Sequence, residues 1–367
     1  MATTYKTLLN NDIATTRTLL HESIPVTGTI VSGTYTDKAG AEYNIKTYAH
    51  GMFQSVYDYP YLSSSANHIF DITMGISANS EFTGGADPGS GPGFVSSQFT
   101  KKRNIYDQMA QVLVPYSSSG VIQNFDQDGD LTGGRKMNDV FFLNFSRLLT
   151  KDEIKKGTFS ITFMTGGAVT AATDALTISD YGATGSFKVN SPTGEYGLLY
   201  TGSADAGTTT KACGHIYYQA GIAVITSSIF SIGFLTPTDM CDFGAPDADY
   251  DIQNYQAVIT GSTIDSFAEG VRNRIKTLSF NNTTELNSTI YFCRANTGDY
   301  NYSSNPTYLS ASKIRVKGDN PFAEPVSYLT TVGLYSPNNE LLAVAKLSEP
   351  LKKTPSNEVT LRVRLDY

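Results

Sequence analysis

Between residues 358 and 367 apolar and polar side chains alternate without interruption. Val359, Leu361, Val363, Leu365 and Tyr367 share one face, and Glu358, Thr360, Arg362, Arg364 and Asp366 share the other. A period of two predicts a strand with one covered face. Just upstream, two apolar, β-prone runs at 328–335 and 340–346 flank Pro337, Asn338 and Asn339. That is the sequence form of a β-hairpin. A Pro-rich connection, 350–355, is expected to join the hairpin to the last strand. The last strand is expected to pair beside that hairpin, with its four aliphatic side chains turned to the core.

The same periodicity test places elements along the rest of the chain. It predicts strands over 26–35, 68–74, 140–146, 158–163, 176–179, 186–189 and 196–200. Two more, 214–218 and 222–226, flank a turn at 219–221, and another covers 288–294. Residues 44–57 have a mixed pattern. A short helix is expected over 15–21, ending before Pro25. A second covers 104–113, with Asn104 as cap, Asp107 in the first turn and Pro115 as stop. Its apolar stripe is Ile105, Met109, Val112 and Leu113. One helical turn over 150–157 closes on Gly157. The longest helix is expected over 263–278, with Ile264, Phe267, Val271, Ile275 and Leu278 on one face. Residues 83–93 form a Gly-rich connector, 242–251 an acidic turn and 300–308 an aromatic link. No repeat of fixed period is present.

These elements predict an α+β fold, mostly antiparallel β with two or three packed helices in sheet- or sandwich-like modules. Shifts in composition near 165 and 260 suggest three domains. They are an N-terminal α+β domain (1–164), a Gly/Thr-rich β domain (165–260) and a C-terminal domain (261–367) with a helix, the hairpin and the terminal strand.

Composition sharpens this picture in two ways. Of the 367 residues only 17% are charged, against about a quarter in an average domain. Twenty-three tyrosines help fill the gap, which suits surfaces made for protein contact. The net charge of −7 disfavours non-specific nucleic-acid binding, which needs clustered Lys and Arg. No run of 18 apolar residues is available to cross a membrane. The N-terminus lacks the apolar core of a signal peptide, so synthesis in a cytoplasm is expected. Cys213, Cys241 and Cys293 are odd in number and far apart, and read as reduced thiols.

Catalytic signatures are missing. There is no nucleophile elbow, P-loop or dinucleotide glycine fingerprint. His21, His50, His68 and His215 lack the i, i+4 spacing of a helical zinc site, and each reads as a packing or hydrogen-bonded residue. Asp126, Asp128 and Asp130 alternate as in a calcium loop. The glycine then comes one position early, Leu131 takes its place, and Met137 stands where the bidentate glutamate belongs. A solvated acidic turn is the expectation. No catalytic, cofactor or metal residue is assigned, and no enzymatic activity is expected. Sequons such as those at Asn282 and Asn287 carry no weight without a secretion signal.

Several stretches resemble virion structural proteins of tailed bacteriophages, of the marine and cyanobacterial myophage type. They are residues 48–73, 148–157, 305–308, 341–350 and 362–367. The resemblance covers both ends and most of the chain, and is weakest over 165–235. A hairpin followed by a terminal strand is also distantly similar to the baseplate wedge protein of contractile tails. The resemblance implies a structural virion component, in the tail or baseplate, made in the host cytoplasm. Its partners would be other virion proteins and copies of itself, in a symmetric homo-oligomer or ring, with no nucleic acid, membrane or cofactor. A neck or collar position is the alternative within that class; a receptor-binding module or a virion hydrolase lies outside it.

Overall fold

The computed structural model describes residues 5–33, 43–80, 97–165, 174–206, 211–230, 263–310, 313–316, 318, 320 and 322–367. The expected connector 83–93, the acidic turn 242–251 and Cys241 lie outside the described residues. The strands, in chain order, begin with β1 (Ile13–Thr27), β2 (Ile45–Thr47), β3 (Gln54–Tyr57), β4 (His68–Ile76), β5 (Asp139–Phe145) and β6 (Glu153–Ile154). Next come β7 (Ser160–Thr165), β8 (Asp174–Ser179), β9 (Lys188–Ser191), β10 (Gly194–Leu199), β11 (Gly214–Tyr217) and β12 (Ile222–Thr226). The last are β13 (Ile275–Ala295), β14 (Leu309–Ser310), β15 (Lys313–Ile314), β16 (Ser327–Tyr335), β17 (Leu341–Lys353) and β18 (Val359–Asp366). The helices are α1 (Gly28–Ser32), α2 (Ser97–Leu113), α3 (Arg147–Thr150), α4 (Ala183–Ser186) and α5 (Ile264–Arg274). Pairing is antiparallel throughout the named ladders, and the class is α+β as expected. By contacts the chain divides into two compact units, Leu20–Thr284 and Met1–Leu19 with Glu285–Tyr367. This grouping differs from the three domains that composition suggests.

The unit Leu20–Thr284 is organised around β5. An eight-stranded sheet runs in the order β2-β3-β4-β5-β12-β11-β10-β9, so β5 is internal. Val140, Phe141, Phe142 and Leu143 are all buried, which requires cover on both faces. Neighbouring side chains supply it in opposite directions. Phe142 packs on Phe125, which meets Tyr106 of α2 edge-on at 5.3 Å. Phe141 packs on Phe163 of β7 and on Phe267 of α5. The period of two in β5 thus serves two different layers. Helix α2 lies close against β4, and Gly75 makes that possible. A Cβ there would sit 2.9 Å from the Tyr106 backbone. Helix α5 is capped by Thr263, whose hydroxyl accepts from Ser266 N at 3.1 Å.

The other unit is Met1–Leu19 with Glu285–Tyr367. Within it β13 pairs with β18 over Ser288–Ala295, and β16 and β17 form a separate two-stranded sheet. Asn339 takes a positive φ of 66° in the hairpin turn, a conformation asparagine tolerates. Along β18, Val359, Leu361, Val363 and Leu365 alternate with exposed neighbours but are only half-buried.

Several expectations need correction. The last strand pairs with β13, not with the hairpin. The expected Pro-rich connection is shorter than its pattern: β17 runs through Pro350 to Lys353, and residues 354–358 join it to β18. Residues 15–21 belong to β1, because three threonines favour extended backbone and β13 offers a ladder to pair with. The strand expected from 26 ends at Thr27, and α1 follows. Helix α2 starts at Ser97, so Asn104 is interior; its buried face is Ile105, Tyr106, Ala110 and Leu113, while Val112 is exposed. The helical turn is α3 at Arg147–Thr150, followed by a strand. Helix α5 ends at Arg274, and Ile275 and Leu278 are buried from β13 instead.

Candidate functional site

In the unit Leu20–Thr284, Asp126, Asp128 and Asp130 do come together. Their carboxylate oxygens lie within 4.8 Å of one another. The loop holds them by its own backbone. Leu131 N donates to Asp126 Oδ2 at 2.7 Å, Asp130 N to Asp128 Oδ1 at 3.2 Å and Thr132 N to Asp130 Oδ1 at 2.7 Å. Gly129 and Leu131 take positive φ values of 69° and 66° to close the turn. Asp130 is exposed and Asp128 half-buried, as in a solvated turn, but Asp126 is not. Asp126 is 1% exposed, and burial pushes its carboxyl up from the usual range. Its Oδ1 lies 2.8 Å from the Lys136 ammonium. A metal ion on that buried oxygen would have to displace a lysine already neutralising it, so the donor set does not fit a calcium site.

The four histidines occupy separate environments. His21 Nδ1 lies 3.3 Å from Asn282 O and 3.2 Å from Thr283 Oγ1. His50 stacks on Tyr48 at 5.1 Å and accepts from Met52 N at 3.1 Å. His215 is buried against Tyr196 and Tyr217, and burial pushes its imidazole down to about 4. His68 is the one with a chemically suggestive setting: Asp71 lies three residues on in the same strand, β4, and Ser55 joins them from β3. His68 Nε2 sits 2.8 Å from Asp71 Oδ1, and the Ser55 hydroxyl donates to that same oxygen at 2.5 Å. A serine nucleophile needs the imidazole against its hydroxyl, with the carboxylate behind the imidazole. Here the carboxylate stands between the two, and Ser55 is buried. The arrangement is a strand-to-strand hydrogen-bond clasp.

Cys213 is buried, and burial pushes its thiol up to about 12, the opposite of a reactive cysteine. Asp180 is a second buried carboxylate that the sequence does not flag. It accepts from Gly157 N at 2.6 Å, Phe159 N at 3.1 Å and Tyr218 Oη at 3.0 Å, and burial still pushes it up to about 6. All three donors come from the fold itself, so its role is to fix the turn before β7.

The unit Met1–Leu19 with Glu285–Tyr367 offers surface instead of buried chemistry. One face of the β16–β17 hairpin half-buries Val332, Leu334, Ala343 and Ala345. The other exposes Tyr335, Leu341 and Val344, and Leu342 beside them is 68% exposed. The base of the hairpin is fastened by a buried lysine. Lys353 Nζ donates to Thr297 O at 3.0 Å, Asn301 Oδ1 at 3.0 Å and Thr354 O at 2.8 Å. Asn301 in turn donates to Pro325 O and Lys353 O, each at 3.0 Å. Beside this clasp opens a cleft of about 360 Å³ lined by Tyr300, Tyr302, Tyr308 and Arg315 among others.

No family model matches the chain, and neither does any curated protein or solved structure.

Proposed function

We propose that this chain is a structural component of a tailed-bacteriophage virion, placed in the tail or baseplate and working through protein–protein contacts. The observation that carries the proposal is the apolar surface of the hairpin. Leu341, Leu342 and Val344 stand in solvent, and Tyr335 beside them is partly covered by Tyr5, on a two-stranded sheet that has no third strand among the described residues. Exposed apolar patches of this kind mark interaction sites. An unpaired strand edge invites a further strand. The resemblance of residues 341–350 to virion proteins falls on this same surface. A low share of charged residues and many tyrosines suit an extensive interface, of about 1,200–2,000 Å² or more. Partners in this proposal are other virion proteins and further copies of the chain. A neck or collar position would use the same surface and is the second placement. Catalysis has no part in the proposal.

The test is mass spectrometry of purified particles of the encoding phage. The chain is expected among the particle proteins, in a copy number that is a small multiple of the tail symmetry. Its absence from intact particles, with abundance in the infected cell, would overturn the proposal.

A further inference from the structure

The Tyr-lined cleft carries an inference that goes beyond assembly. We propose that it binds an anionic oligosaccharide, with sugar rings against the tyrosines and the acid group on Arg315. The cleft lies wholly within the unit Met1–Leu19 with Glu285–Tyr367. Its volume of about 360 Å³ is within the range of small-ligand sites, about 300–1,000 Å³.

Three features point to that ligand class. First, two aromatic side chains of the lining are well exposed. Tyr300 is 62% exposed and Tyr302 65%. Each phenol gives a flat apolar face for sugar C–H groups and a hydroxyl for sugar hydroxyls. Tyr300 holds that position at a φ of +64°, a conformation unfavourable for a bulky side chain. Such strain collects at ligand sites.

Second, the charge is of one sign. Arg315 is exposed, and among the described residues it has no ion-pair partner and no carboxylate lines the cleft. The unit that holds the cleft has 11 Lys and Arg against 9 Asp and Glu, net +2, while the other has 16 against 25, net −9. Arg315 therefore favours an anion here, in the unit whose net charge is the less negative. One arginine is too little for a nucleic-acid track, which needs several cations in a row.

Third, the walls are tied together in advance. Arg315 N donates to Tyr308 O at 2.6 Å, which fixes the arginine beside its tyrosine. Asn301 Nδ2 donates to Pro325 O at 3.0 Å and joins the Tyr300–Tyr302 wall to the opposite one. A preformed cleft loses little entropy on binding.

The experiment uses the full chain on an array of oligosaccharides bearing uronate, sialate or sulfate, each beside the same oligosaccharide without the acid group, and with a single-stranded DNA oligonucleotide included. The strongest binder is then titrated by calorimetry against wild type, Tyr302→Ala, Arg315→Gln and, as a control outside the cleft, Tyr116→Ala, all checked for native circular dichroism. Acidic oligosaccharides are expected to be retained over their neutral counterparts. Tyr302→Ala should weaken binding up to about tenfold. Arg315→Gln should bind acidic and neutral forms alike, and Tyr116→Ala should bind as wild type. The proposal is overturned if no oligosaccharide is retained, if Tyr302→Ala binds unchanged, if DNA is preferred, or if Tyr302→Ala instead abolishes self-association. None of these results bears on whether the chain belongs to a particle.

Discussion

Lys353 fastens the base of the hairpin through three acceptors. It is 0% exposed, yet it ends a strand that is otherwise open to solvent. Replacing it by Met keeps much of the stem and removes the ammonium. Three acceptors then lose their donor, and Asn301 Oδ1 is buried with nothing to replace it. An unsatisfied buried polar group costs about 1–3 kcal/mol. Thr297 O and Thr354 O are only partly buried and recover some hydration, so the total should be about 3 kcal/mol, the lower end of the range for breaking a buried charged cluster. In a unit of about 100 residues that lowers the melting temperature by more than about 10 °C. The assay is hydrogen exchange on the full chain, reading the β16 and β17 amides separately from those of β5. Lys353→Met should speed exchange in the hairpin by about two orders of magnitude and leave β5 unchanged. Hairpin protection within about threefold of wild type would refute the argument, because the lysine would then be a satisfied bystander.

Three further outcomes follow from the buried groups. Phe267→Ala should cost about 3–5 kcal/mol, read as a lower urea midpoint, because Phe267 is 1% exposed and rests on Phe141; an unchanged midpoint would show that this face is not core. His215, held neutral with its pKa at about 4, contributes stability that is full above about 6.5 and lost as pH falls through 4, up to about 3 kcal/mol. Asp180, raised to about 6, acts the other way: its contribution is full below about 3.8 and lost as pH rises through 6. Wild-type pH profiles therefore mix the two, and the readout is a comparison. His215→Phe should lose less stability than wild type between pH 6.5 and 4, and equal losses would contradict the depressed imidazole. Calcium at about 100 times a sensor-type Kd should leave the melting temperature unchanged, since Lys136 already neutralises Asp126; a rise equivalent to about 2.7 kcal/mol would show that the loop does take the ion.

What the sequence reveals depends on how local the signal is. The alternation in β18 and the apolar run in β5 are legible because period and burial are properties of one segment. The partner of β18 is not, since β13 lies some 70 residues away and no local pattern names it. The same holds for residues 15–21, whose Leu19 and Leu20 suggest a helix until β13 supplies a ladder. Val112 looks like core and Tyr106 does not when apolarity is weighed above position; the Tyr106 hydroxyl is buried at no loss by donating to Met137 O at 2.8 Å and accepting from Phe125 N at 3.0 Å. Ser55 joins the His68–Asp71 pair from another strand, and the Lys353 cage assembles from separate segments, so neither grouping leaves a spacing to read. Asp126, Asp128 and Asp130 are legible as a cluster, but the ion pair of Asp126 with Lys136 is not.

The proposed place in a virion is tested by gold-labelled antibody against this chain, imaged on intact phage particles. Labels clustered at the tail end, or at the neck for the second placement, are the predicted result. Unlabelled particles, under conditions where a known virion protein is labelled, would contradict it.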